Sequence, residues 1–205
     1  MRRLAVAAIF AFVLCQPAFA DVSCTPTKPI LQQNRTRMKH RNPPSQNPGM
    51  HQTTVAQMAA FPAASGVTVA GFRTSQQPID PHELSVVTLK GDLWAINIEP
   101  DDCDFHLEIS DVGESNGADR VIVEIPQGPR FTAARNKLIQ IVHDSGVALS
   151  KRIRFQQPVR VQVFGTLFFD AWHYSTTKPR GNNHGSAQVA SIWEIHPVWA
   201  IIQAS

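Results

Sequence analysis

The stretch SVVTLKGDLWAINI, from Ser85 to Ile98, decides the fold of this 205-residue chain. Apolar and polar residues alternate along it and β-branched residues are frequent, which is typical of a strand with one buried face. Gly91 lies in the middle of the run, where a bulge or a sharp bend suits the strand. We therefore expect ordered structure to begin at Ser85 and the fold to be mainly β.

Downstream of this strand the sequence predicts four more strands and one helix. In chain order these are strands at Phe105 to Ser110 and Arg120 to Ile125, a helix at Phe131 to His143, and strands at Val159 to Phe168 and Ile192 to Gln203. A β-β-β-α-β-β order over about 120 residues is that of an OB-fold, a five-stranded, partly open Greek-key barrel. We predict an OB-like domain at 85–203, with one helix between strands 3 and 4. The alternative is a generic α+β sandwich.

The residues before this domain predict an exported protein with a leader. At 1–20, two arginines precede an apolar run that ends in the small-residue motif AFA, which indicates a secretory signal peptide. The run is too short to span a bilayer comfortably, so we expect no integral membrane segment after cleavage, and a periplasmic or secreted protein. Residues 21–84 are rich in Pro, Gln and Asn without apolar periodicity, which predicts a disordered basic leader.

Charge argues against nucleic acid as the favoured partner. Residues 21–61 hold five basic residues and one acidic residue, whereas residues 62–205 hold twelve basic and fifteen acidic residues. A nucleic-acid binder more usually carries its basic residues on the folded face.

After signal cleavage only Cys24 and Cys103 remain, an even number in an oxidising compartment. We expect a disulfide between them; the alternative is two unpaired thiols.

Four segments of the predicted domain carry a resemblance. They are DDCDFHLEISD, VEIP, VFGTLFFDAWH and WEIHPV, in that order. The chain resembles, over 89–201, a group of uncharacterised exported bacterial proteins in which D-x-D-[FY]-H-L, E-[IF]-P, G-x-x-F-x-D-x-x-H and E-[IL]-H-P-V recur. The resemblance implies an OB-like domain and no particular activity. Cys103 stands where that group more commonly has a glycine, which marks the disulfide as local to this protein.

Histidines and carboxylates in these segments are candidate metal ligands. The candidates are His106, Glu124, Asp170, His173, Glu194 and His196. In an OB-like barrel they could converge on one side, and imidazole with carboxylate suits a divalent transition metal such as zinc or manganese. No local spacing matches a known metal signature, so the alternative is a hydrogen-bonded network that only fixes the structure. GNNHGS, from Gly181 to Ser186, is expected to be a flexible loop tip whose His184 binds metal only adventitiously.

Two aromatic residues after the fourth strand are candidate ligand contacts. Trp172 and Tyr174 lie in a loop that often contacts ligands in OB-folds, although packing in the core is the alternative. The sequence thus favours a binding module for an oligosaccharide, a peptide or a nucleic acid, or a partner of another envelope protein. The alternative is a metal-dependent hydrolase, such as a phosphodiesterase or nuclease. Whether the protein is an enzyme is left open by the sequence.

Overall fold

A computed structural model of the chain describes residues 23–28, 35–43, 50–64, 72–114, 119–178, 180–181 and 184–205. The predicted signal peptide at 1–20 lies outside these residues. The described strands are β1 (His51–Thr53), β2 (Val86–Ile98), β3 (Phe105–Ser110), β4 (Arg120–Ile125), β5 (Arg152–Phe169) and β6 (Trp193–Gln203). The helices named below are α1 (Thr36–Lys39), α2 (Val55–Ala60) and α3 (Thr132–Asp144), with 3-10 turns at Pro81–Leu84 and Pro129–Phe131. None of the described helices is long and apolar enough to cross a membrane.

Five of the strands form a ring of pairings. β2 pairs antiparallel with β3 and β5, β3 pairs antiparallel with β4, β4 pairs parallel with β6, and β6 returns antiparallel to β5. β1 adds to β2 as a parallel neighbour that the sequence did not predict. The prediction of a mainly β fold is confirmed, with six strands among the described residues in place of five. The predicted helix is present as α3, within one residue of its predicted ends.

Strand alternation divides the sheet into an apolar inner face and a polar outer face. On β3, Phe105, Leu107 and Ile109 join the hydrophobic core, and α3 packs onto the same core through its own buried apolar residues. The residues between them, His106 and Glu108, point to the other face and are nevertheless buried. The residues that cover the outer face come from the N-terminal segment, where Lys39 contacts Glu124, and from the loop between β5 and β6, where Ser186 contacts Glu108.

The described part of 21–84 differs from the predicted disordered leader. It contains α1, β1 and α2, and Met58 of α2 is fully buried in the core. Arg35, at the start of α1, is 1% exposed and forms a two-pronged ion pair with Glu83, with Nη1–Oε1 at 2.6 Å and Nη2–Oε2 at 2.8 Å. Composition missed this order because the segment is held by tertiary contacts with the sheet, which leave no local periodicity.

A disulfide also joins this segment to the turn between β2 and β3. Cys24 and Cys103 are bonded across 79 residues of sequence. The backbone N–H of Thr27 donates to the carbonyl oxygen of Pro100 at 3.0 Å, and that of Lys28 donates to Asp101 at 3.2 Å. Residues 23–28 thus lie along the turn between β2 and β3.

We expect the Arg35–Glu83 pair to be a main anchor of the N-terminal segment. Substituting Arg35→Met leaves the Glu83 carboxylate buried with only the N–H groups of Ile79 and Phe169 as hydrogen-bond donors. Breaking a buried pair in this way should lower the free energy of unfolding by about 3–5 kcal/mol. Chemical denaturation followed by circular dichroism measures the change.

The matched control is Lys28→Met, because the Lys28–Asp101 pair is about half exposed. An exposed pair should contribute less than about 1 kcal/mol. If Arg35→Met costs no more than Lys28→Met, the buried pair does not anchor the segment.

Candidate functional site

Three neighbouring strands bring four polar side chains together on the outer face. His106 of β3 lies opposite Glu124 of β4 in the strand register, and its Nδ1 is 2.8 Å from Glu124 Oε1. The second oxygen, Glu124 Oε2, is 2.7 Å from Nδ1 of His196 on β6. His196 Nδ1 also lies 3.4 Å from Oε2 of Glu194, two residues earlier on the same face of β6. The side chains of these four residues form one connected series of contacts.

The segment that follows β5 extends this series of contacts. Glu194 Oε1 is 2.7 Å from Nε2 of His184, and the same His184 nitrogen lies 3.5 Å from Oδ2 of Asp170. That oxygen of Asp170 also contacts Nδ1 of His173, and the two imidazole rings lie 5.4 Å apart between centroids. All six candidate metal ligands from the sequence therefore lie in a single network.

The members of the network that were not among those candidates include His184 and Asp104. His184 is 5% exposed and central, so the expectation of a flexible loop tip at this residue is wrong. Asp104 is fully buried, with Oδ1 accepting from the Gln127 N–H at 2.9 Å and Oδ2 lying 3.4 Å from His196 Nε2. No local pattern in the sequence indicated His184. In the structure Gly181, with a φ of +98°, makes room for the ring, because a Cβ there would lie 2.5 Å from Cβ of His184.

Two groups of three residues could hold a metal ion by distance, namely Asp170, His173 and His184, and Asp104, Glu124 and His196. The two groups differ in whether their ligand atoms point toward one common position. In the second group Glu124 faces Nδ1 of His196 while Asp104 faces Nε2, so the two carboxylates lie on different edges of one ring. One imidazole lone pair cannot point at an ion that both carboxylates share.

The first group is convergent. A single oxygen, Asp170 Oδ2, faces Nδ1 of His173 and Nε2 of His184 from one position, and one ligand atom from each of the three residues lies within 4.8 Å of those of the other two. His173 has a side chain that is 36% exposed, so this group opens to solvent, whereas the second group is closed. Two histidines and a carboxylate with an open side are a ligand set for zinc, manganese or iron.

The network contains more acid than base. Its carboxylates are Asp102, Asp104, Glu124, Asp170 and Glu194, and among the described residues Lys39 is the lysine or arginine that contacts them. Charge balance is reached when the four histidines carry protons, when protons on some histidines are combined with protonation of a carboxyl, or when another cation binds.

The pKa values follow this imbalance. Burial lowers the pKa of His184, but the hydrogen bond and charge of Glu194 outweigh burial and raise it to about 9. For His106 and His196 burial again opposes the charge of Glu124, which prevails and raises both pKa values. Burial and the negative charge of the neighbouring Asp104 raise the pKa of Asp102 to about 6, so the excess of negative charge also makes this carboxyl harder to ionise.

A cavity of about 430 Å³ opens over the network. Its lining includes His106, Glu124, Asp170, His173, His184 and Glu194, together with Arg152 and Arg154 of β5. Trp172 lines the cavity and is 47% exposed, with the Arg73 guanidinium 4.9 Å from its ring centroid. Tyr174 instead packs against Phe169, 5.2 Å between centroids, and is not among the described residues that line the cavity.

Comparison with known proteins adds a distant likeness. No protein-family model matches the chain, and no curated protein matches it significantly. A similar solved structure is Entamoeba histolytica asparaginyl-tRNA synthetase in complex with asparaginyl-adenylate, with a TM-score of 0.39 and 12% identity. The alignment covers 77% of this chain and 24% of the synthetase chain, so this chain spans about a quarter of that protein's length.

The His106–Glu124 pair predicts a pH dependence of stability. A histidine whose folded pKa is raised stabilises the fold fully below its ordinary value of about 6.5, and this contribution is lost as pH rises through the raised pKa. In metal-free protein, His106→Gln should therefore lower the free energy of unfolding by about 1.5–3 kcal/mol near pH 6. The difference from the parent should shrink as pH rises, which urea denaturation across pH measures.

His51→Gln is the control, since His51 is exposed on β1. This variant should unfold like the parent at every pH. A cost of His106→Gln that stays constant with pH would mean that the pKa of His106 is the same in the folded and the unfolded protein, which contradicts this prediction.

Proposed function

We propose that this is an exported, OB-like binding protein that holds a divalent transition metal, zinc or manganese, at Asp170, His173 and His184. The observation that carries the proposal is the convergence of these three ligand atoms at the open side of the cavity. Three protein ligands leave coordination positions for water or a ligand, which is the arrangement of open zinc sites. The ion and the cavity would together form the ligand site.

The excess of carboxylate over fixed cation supports a bound metal. Without an ion, the network needs protons on its histidines to balance its charge, and those protons are the ones that a metal would displace from His173 and His184. A network with a purely structural role has no need of this excess, because apolar residues of similar volume stabilise a core as well or better. Metal binding therefore explains why so many acids gather beside this cavity.

The ring of strands supports the OB-like part of the proposal. The order β2-β3-β4-β6-β5, closed by β5 on β2, with α3 between β4 and β5, has the topology expected for a five-stranded Greek-key barrel. The signal-like sequence at 1–20 and the Cys24–Cys103 disulfide both favour export to an oxidising compartment. The four segments shared with uncharacterised exported bacterial proteins agree with this assignment.

Metal analysis of the mature protein tests the proposal. The protein from residue 21 onward, exported to the periplasm and purified without a histidine tag, should contain about one zinc or manganese ion per chain. After stripping with EDTA, zinc titrated by calorimetry should rebind with proton release that depends on buffer. Asp170→Asn and His184→Gln should each weaken zinc binding by more than about 100-fold, because each removes a ligand itself.

His51→Gln should bind zinc like the parent, since it removes an exposed histidine outside the cavity. Circular dichroism confirms that each variant is folded. A folded parent that binds no divalent metal tightly, or a His184→Gln variant that binds as well as the parent, contradicts the proposal.

A second candidate function is metal-dependent hydrolysis, which the position of Glu194 favours. Its carboxylate is buried, lines the cavity and lies 2.7 Å from Nε2 of His184, where it could serve as a general base for water beside the ion. Hydrolysis of 4-nitrophenyl phosphate, 4-nitrophenyl acetate and 4-nitrophenyl glucoside by the zinc-loaded protein tests this function. Glu194→Gln should abolish turnover while zinc remains bound; no turnover on any of these substrates leaves the protein a binding module.

A further inference from the structure

A row of polar residues crosses the outer face of the sheet at right angles to the strands. In the strand register, Arg152 of β5 lies beside Asn97 of β2, Asn97 lies beside His106 of β3, and His106 lies beside Glu124 of β4. All four residues line the cavity. With neighbouring strands about 4.8 Å apart, the row spans about 14 Å. From Glu124 it continues through β6 to the Asp170 group.

The far end of this row carries two arginines without acidic partners. Arg152 and Arg154 are two residues apart on β5, so their side chains point to the same face. Arg154 Nη1 donates to Asn97 Oδ1 at 3.2 Å and to the carbonyl oxygen of Ile153 at 3.1 Å. Among the described residues, no carboxylate lies within ion-pair distance of either guanidinium.

Other arginines of the barrel are paired with acids. Arg120 lies 3.0 Å from Glu108 Oε2, and Arg160 lies 3.1 Å from Asp92 Oδ1. The contrast is informative because carboxylates are plentiful around the cavity, yet none of the described ones neutralises the two arginines at this end. Two unpaired guanidiniums on the wall of a cavity form a site for an anion.

We propose that the cavity binds a phosphate-bearing ligand, with a phosphate group at Arg152 and Arg154 and the rest of the ligand directed toward the Asp170 group. This inference rests on the proposed function, because the metal ion would hold the ligand's other end. Two adjacent arginines favour phosphate over carboxylate, since phosphate carries up to two negative charges and offers three acceptor oxygens. Trp172, exposed at the cavity, would lie beside the ligand.

Titration with phenylphosphonate tests the inference, because this phosphate analogue keeps its phenyl group when hydrolases act on esters. The full-length mature protein, loaded with zinc, should bind one phenylphosphonate per cavity in calorimetry. Arg152→Gln/Arg154→Gln should weaken this binding by at least about tenfold, the loss expected when two charged hydrogen-bond donors are removed. Benzoate, with one charge and two oxygens, should bind at least about tenfold more weakly than phenylphosphonate to the parent.

The matched control is Arg130→Gln/Arg160→Gln, which removes the same two charges outside the cavity. It should bind phenylphosphonate within about twofold of the parent, after correction for the general effect of charge on binding. Zinc content is measured on every sample, so a failure of metal binding is recognised separately from a failure of phosphate binding.

Three results overturn the inference. The first is zinc-loaded protein that does not bind phenylphosphonate, which leaves the metal proposal standing. The second is equal affinity in the two arginine double variants, and the third is equal affinity for benzoate. A protein that fails to take up zinc overturns the proposed function, and the inference falls with it.

Discussion

The need to neutralise buried carboxylates organises this structure. Acids from the β2–β3 turn, β4, β6 and the end of β5 gather on one face of the sheet, where each unpaired charge would cost several kcal/mol. Among the described residues, the strands of the sheet supply histidines but no lysine to this group. Lys39 comes from α1, where it lies 3.3 Å from Asp102 and 3.9 Å from Glu124. The N-terminal segment is therefore part of the electrostatics of the site as well as its cover.

This role explains why the N-terminal segment is so firmly held. Arg35 lies four residues before Lys39 and binds Glu83 and the carbonyl oxygen of Phe169, which fixes the start of α1. The disulfide fixes the same segment further upstream at Cys24. Arg41, two residues after Lys39, donates to the carbonyl oxygens of Glu83 and Leu167, so Arg35 and Arg41 hold the chain on both sides of Lys39 and leave it little freedom to withdraw from the acids. The N-terminal segment thus both covers the site and neutralises part of its negative charge.

Strand alternation made part of the site predictable. In WEIHPV, alternation alone places Glu194 and His196 on one face, and the same reasoning places His106 on the outer face of β3. The convergence of β3, β4 and β6 follows from the order of elements. His184 and Arg35 escaped prediction because each lies in a polar segment without periodicity, and each is buried only through partners more than a few residues away. Contacts between residues distant in the sequence leave no local pattern of apolar and polar residues.

Glu194 couples the two ends of the network, and this gives metal binding a consequence beyond its own ligands. A ring nitrogen holds either a proton or a lone pair, so Nε2 of His184 cannot donate to Glu194 and ligate an ion at the same time. An ion bound by His184 would take that proton's place and leave Glu194 Oε1 facing the ion. The other oxygen of Glu194 lies 3.4 Å from His196, whose Nδ1 is also 2.7 Å from Glu124. An ion in the open group would therefore change the charge beside the closed group through the single carboxylate of Glu194.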